Sequence, residues 1–143
     1  MAILESHRQL INDAIQSLGI DPIKCHQESS PNLWKLHRGD AQIIIIAQDS
    51  VTHSEDALPT ISIMSPIVQI PEDFDRTMEL YEYILKTNHK LITESFSISN
   101  RWVILSSTYL LDDMRRQEIV HMLDSLSYHA QSFLMSFEEE YSL

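Results

Sequence analysis

Apolar residues along this chain follow two periods, and the places where one gives way to the other mark the expected elements. Over residues 2–18, Ile3/Leu4, His7, Leu10/Ile11, Ala14/Ile15 and Leu18 recur every three to four positions, the spacing of one helical stripe. Gly19 stands where a helix C-terminus favours positive φ, and Pro22 follows it. From Ile23 to Pro66 the period shortens to that of strands. Ile23–Glu28 is a candidate strand ended by the turn Ser29-Ser30-Pro31-Asn32, and Leu33–Arg38 pairs with Ala41–Gln48 across Gly39-Asp40 as a tight hairpin. The isoleucines at 43–46 break the usual alternation, which predicts a strand covered on both faces. Asp49–Leu58 reads as a polar loop. Thr60–Val68 returns as a strand with Ile61, Ile63 and Ser65 on one face and Ser62 and Met64 on the other. Pro66 cannot donate to a ladder, so that end is expected at an edge or a bulge.

Pro71-Glu72-Asp73 opens a second helix, its carboxylates at the positive end of the dipole. Phe74, Met78, Tyr81 and Leu85 make its central apolar stripe, flanked by Thr77 and Ile84. Asp75, Glu79, Glu82 and Lys86 form its wet face, and Asn88 closes it. Leu91–Ser99 and Arg101–Thr108 read as a second hairpin turning near Asn100. Asp112 or Asp113 then caps a last helix reaching about Glu138, with Ile119, Leu123, Leu126, Ala130, Phe133 and Phe137 as its core stripe. The predicted order is α-β-β-β-α-β-β-α. It specifies one α+β domain over residues 1–143, an antiparallel sheet of five or six strands with three helices packed on it.

Composition narrows the function. With 143 residues, 43% of them apolar and 22% charged, the chain can bury a core of its own. Ten Lys/Arg stand against twenty-one Asp/Glu, a formal net charge of −11, and the densest basic spot is Arg115-Arg116 behind Asp112 and Asp113. Phosphate backbones and anionic lipid surfaces are bound by clustered cations, so neither nucleic acid nor membrane is an expected partner. Cys25 is the sole cysteine, which excludes an internal disulfide and a cysteine-rich metal framework. The first eight residues lack the basic-then-apolar pattern of a secretory signal, and the run Ile43–Ala47 is far too short to span a bilayer. The expected location is the cytoplasm.

Candidate chemistry is sparse. Only Gly19 and Gly39 exist, so there is no glycine-rich phosphate loop and no G-x-S-x-G elbow. Cys25 and His26 are adjacent, but neighbours on a strand point to opposite faces. His121 and His129 are eight apart, neither with a second histidine at the i,i+3 or i,i+4 spacing of helical metal sites, and His53-Ser54-Glu55 offers at most two ligands. Arg38-Gly39-Asp40 matches an adhesion tripeptide but is explained by hairpin chemistry. Glu138-Glu139-Glu140 reads as a solvated terminal run. No catalytic residue, metal or cofactor is therefore expected. Trp34 and Trp102, both on strands, are expected to be buried. One column on the last helix stands apart: His121, Tyr128 and Met135 fall seven residues apart, opposite the core stripe. With Met64, they are the candidate partner or dimer surface, because Tyr and Met are enriched at interfaces. An unpaired edge near Pro66 would further accept an extended peptide by strand addition.

Several segments also resemble a known family. Leu58-Pro59-Thr60-Ile61-Ser62-Ile63-Met64-Ser65-Pro66-Ile67-Val68-Gln69-Ile70-Pro71 is similar to the strand before the second helix of YbjN-like proteins. Leu80-Tyr81, Leu85 and Asn88-His89-Lys90-Leu91 resemble the end of that helix. Phe96-Ser97-Ile98 and Trp102-Val103-Ile104-Leu105 resemble the hairpin after it, and the last helix also fits. The likeness runs from about residue 33 onward. It implies the fold of the type III secretion chaperone-like superfamily, which includes the CesT-like chaperones: small, acidic, usually dimeric proteins that hold extended segments of effectors. The YbjN-like branch implies a regulator without established chemistry. Residues and resemblance together predict a non-enzymatic chaperone or adaptor, the expected partners being a second copy and another protein held on a sheet edge and apolar patches. The competing expectations are a sensory-transduction regulator acting on a folded target, and a small enzyme or ligand carrier.

Overall fold

Local chemistry sets the first two elements. Helix α1 (Glu5–Ser17) buries His7, Ile11, Ala14 and Ile15 and stops before Gly19, whose φ is +80°. The strand expected at Ile23–Glu28 is instead a one-turn helix, α2 (Pro22–Cys25). Asp21 accepts a hydrogen bond from the Ile23 N–H at 3.0 Å, and Pro22 takes the first helical position, where its fixed φ and missing N–H are harmless. Of the strand only a bridge remains, His26 opposite Trp34. The computed structural model describes residues 3–51 and 57–141.

Strands β1 (Leu33–Arg38), β2 (Ala41–Val51), β3 (Ala57–Gln69), β4 (Ser95–Ser99) and β5 (Trp102–Leu110) form one antiparallel sheet in the order β1-β2-β3-β5-β4. Gly39-Asp40 turns the first hairpin with Gly39 at φ +60°. The expected polar loop at 49–58 is strand at both of its ends, since Asp49, Ser50 and Val51 pair with Pro59, Leu58 and Ala57. Its remainder, with His53-Ser54-Glu55, lies outside the described residues. β3 is the central strand, so the edge expected near Pro66 is not an edge of the sheet. The bulge expected there is present, as a register shift between Pro66 and Val68. The ladder to β2 has ended at Met64, so Pro66 is flanked by β5 alone and its missing donor leaves no gap.

Helices α3 (Phe74–Lys90) and α4 (Arg116–Tyr141) complete the fold. α4 lies across β3, and α1 packs on α4. Trp34, Ile43, Ile45, Ile61, Ile63 and Leu105 are sealed beneath Ile119, Leu123, Leu126 and Ala130. The Trp34 indole donates to Asn12 Oδ1 at 2.9 Å, which ties β1 to α1. Ile44 and Ile46 remain partly exposed, so the isoleucine run is covered on one face and not two. Trp34 is buried as expected, but Trp102 is 37% exposed at the end of the sheet. α4 is not capped by Asp112 or Asp113. Glu118 accepts from the Arg115 N–H at 3.1 Å, Asp112 faces His7 at 3.3 Å, and Asp113 turns at φ +65°. No helix among the described residues is long and apolar enough to cross a membrane.

The hairpin expected to begin at Leu91 starts only at Ser95, because the chain first dives inward. Glu94 is buried, with its carboxylate accepting from Ser125 at 2.6 Å and Thr93 at 2.7 Å, and facing His129 Nδ1 at 3.3 Å. Burial opposes its ionisation, but these hydrogen bonds and the His129 charge outweigh that cost and hold its pKa below the ordinary carboxylate value.

Two outcomes follow for stability. A Cβ at Gly39 would run into the Gln131 side chain while φ stays positive. Gly39→Ala should therefore lower the unfolding free energy in urea by about 1–2 kcal/mol, and adding Gln131→Ala should relieve only the collision. Because the Glu94 carboxylate is more acidic in the folded state, it stabilises the protein above the unfolded-state value of about 4.3, and this is lost as pH falls through the folded value. Glu94→Gln should cost about 1–3 kcal/mol at pH 7 and flatten the acid limb of stability against pH; parallel limbs would contradict the assignment.

Candidate functional site

The groups capable of chemistry are separated from one another. Cys25 ends α2 and does not lie on a strand; its thiol is buried, and burial followed by the Asp21 charge pushes its pKa up. A protonated, enclosed thiol is a poor nucleophile. The adjacent His26 turns away, its Nε2 2.6 Å from the Pro31 carbonyl and its ring 5.4 Å from that of Trp34. His129 is held by Glu94, with Ser125 donating to the same carboxylate, so this serine is a hydrogen-bond donor to an acid and not a nucleophile beside a base. Among the described residues, no three His, Cys, Asp or Glu side chains converge as a metal site would require. A shallow, mainly polar depression is lined by Asp13, Gln16, Ser17 and Arg116.

Exposed apolar surface is the more distinctive feature, and it arises from how the layers are stacked. The helices that contact the sheet do so on the face of Trp34, Ile45 and Ile63. Strand side chains alternate between faces, so Ile44, Ile46, Met64 and Ile104 point to the opposite, helix-free face, and all four are partly exposed. Register brings them together: Ile44 is directly opposite Met64, and Ile46 sits one step along beside Leu33. Thr60, Ser62 and Thr108 fill the adjoining part of this face and bond sideways, Ser62 to Thr108 at 2.8 Å and Ser50 to Thr60 at 3.0 Å.

A second surface lies on α3. Of the stripe expected to face the core, Phe74, Met78 and Leu85 face outward, while Tyr81 stays partly buried against the core. Phe74 is 71% exposed, Met78 44% and Leu85 69%, while Leu80 and Ile84 are the buried pair. The helix is turned by more than about 100° from the expected setting, because a smaller patch won. Leu80 and Ile84 reach the core, and Tyr83 packs edge-on against Phe137 at 5.3 Å. Ile92 and Ile98, 96% and 47% exposed, extend the apolar surface beyond the helix.

The sequence-derived surface residues do not form one patch. His121, Tyr128 and Met135 are all exposed on the outer side of α4, with Tyr128 at 71% and Met135 at 69%. Met64 lies in the other layer, on the helix-free face of the sheet. Ile44, Ile46 and Ile104 were hidden in runs of apolar residues, where alternation alone would have flagged them.

No family model matches the chain, and no curated protein matches it in sequence. Solved structures do match. A chain of the HopA1–SchA chaperone–effector complex has a TM-score of 0.61 at 6% identity, over 93% of this chain and 98% of the other. One from the ExoU–SpcU heterodimer of the Pseudomonas aeruginosa type III secretion system has a TM-score of 0.60 at 8% identity, over 87% and 94%. The Yersinia pestis type III secretion chaperone SycH, solved with a fragment of YscM2, has 0.58 at 12% identity, over 89% and 98%. At such identities the likeness is one of fold: this chain has the α+β fold of the type III secretion chaperones.

Proposed function

We propose that this protein is a non-enzymatic, cytoplasmic protein-binding chaperone or adaptor that works as a homodimer. The observation that carries the reading is the helix-free face of the sheet, where Ile44, Ile46, Met64 and Ile104 form a partly exposed apolar cluster on a rigid support. Such a face suits an extended or helical segment of another protein, which would bury the cluster without being altered chemically. The matched structures support it, since they include a chaperone–effector complex and a secretion chaperone bound to a protein fragment.

The α3 stripe is assigned to the dimer. Glu72, Asp73 and Asp75 open this helix, and Lys86, His89 and Lys90 close it. Two copies packed antiparallel about a two-fold axis would set acidic starts against basic ends while burying Phe74, Met78, Tyr81 and Leu85 twice over. Met64 belongs to the client surface. His121, Tyr128 and Met135 would touch a partner only through a separate contact on α4.

Light scattering should give a mass of twice 16.6 kDa for the natural chain and 16.6 kDa for Phe74→Glu/Leu85→Glu, with unchanged circular dichroism. A monomeric natural chain would remove the dimer. For binding, the tagged protein should retain a client from host lysate, and Met64→Glu should reduce that client's recovery about tenfold, as a lost anchor of about 1.4 kcal/mol implies. Equal recovery by both would overturn the assignment of the sheet face.

A further inference from the structure

Strand β4 ends the sheet, with β5 as its only strand neighbour. The β4–β5 hairpin closes at Ser99 opposite Trp102, and its turn residues Asn100 and Arg101 have φ of +49° and +67°. In a two-residue hairpin of this kind the closing pair is hydrogen-bonded, and bonded pairs then alternate. Ser99, Ser97 and Ser95 therefore bond inward to β5, and the main-chain groups of Phe96 and Ile98 point outward.

The outward groups of Phe96 are occupied by a side chain. Asn88 Oδ1 accepts from the Phe96 N–H at 2.6 Å, and Asn88 Nδ2 donates to the Phe96 carbonyl at 3.1 Å. A carboxamide carries the donor and acceptor of a peptide group, and this reciprocal pair is what a neighbouring antiparallel strand would supply. The rest of the edge has none of the usual protection. Ser95, Ser97 and Ser99 are exposed and uncharged, Ile98 is 47% exposed, and no proline or lysine lies in the strand. By contrast, β1 carries Lys35, His37 and Arg38, and its start is covered by the Gln27 bond to Leu33.

We infer that Asn88 is a strand mimic that holds the β4 edge closed against β4 of a second copy. The sequence Ser-Phe-Ser-Ile-Ser has the same alternation in both directions. Antiparallel pairing of two such strands about Ser97 sets Phe96 opposite Ile98 of the copy, with the outward groups of each in register. That pairing and the Asn88 bonds compete for the same two atoms of Phe96. The stopper is a short side chain on the last turn of α3, so the closed edge depends on where that helix ends. This inference does not rest on the proposed function, and the α3 and sheet-face variants above leave Asn88 untouched.

Amide exchange followed by NMR on the full chain tests it first. In the natural protein the Phe96 amide should be protected, although no strand pairs with it, and the Ile98 amide should exchange at least about tenfold faster, as one lost hydrogen bond implies. Asn88→Ala should abolish that difference and produce concentration-dependent species larger than the natural protein forms. Asn88→Ala/Ile98→Pro, which removes the other outward N–H without touching the β5 ladder, should return to the natural mass. Equal exchange at Phe96 and Ile98 in the natural protein overturns the inference even if Asn88→Ala does not fold. A folded Asn88→Ala that associates no more than the natural chain also overturns it.

Discussion

The packing of α4 across the central strand β3 is the contact on which the other surfaces depend. Ile61 and Ile63 from the strand meet Ile119, Leu123 and Leu126 from the helix, and all five are fully sealed. Each such side chain contributes about 1.5–3 kcal/mol by leaving water, so the face of β3 that α4 selects is not open to exchange. Strand alternation then fixes the opposite face. Once Ile63 is committed inward, Met64 must point outward, and the register carries Ile44 with it. A chain with a second helical layer would cover these residues. This one sets its helices against a single face, and the apolar cluster is left partly exposed.

The same economy explains α3. A helix beside the sheet can bury only one side, and Leu80 with Ile84 provides enough contact there. Phe74, Met78 and Leu85 of the longer stripe are consequently in water, at odds with the usual arrangement of a surface helix. The charge distribution along the helix is itself self-complementary in the antiparallel sense. In the proposed dimer, with a formal net charge of −11 on each chain, such pairing of unlike ends would offset repulsion between the copies, with His89 and Lys90 as the cations because Lys86 already pairs with Glu82 at 2.8 Å.

How much of this the sequence revealed depends on whether a feature was local. The core stripes of α1 and α4, the Gly39-Asp40 hairpin and the bulge beside Pro66 were legible because period, turn chemistry and a missing donor act within a few residues. α2 was misread because Pro22 was taken as following one helix when, with Asp21, it starts another. The setting of α3 was not legible, because periodicity shows that a stripe is apolar and not whether its cover comes from the same chain. Glu94 and Asn88 lay deeper still. Their roles are set by Ser125, His129 and Phe96, residues that the fold brings to them and that no spacing rule connects.

A photo-crosslinking residue in place of Met64, compared with the same residue in place of Tyr128, tests the central claim most directly. Illumination in host cells should give a discrete covalent adduct with a second protein from the Met64 position. Adducts from the Tyr128 position alone, with none from Met64, would contradict the account, because the binding surface would then lie on α4 and not on the helix-free face of the sheet.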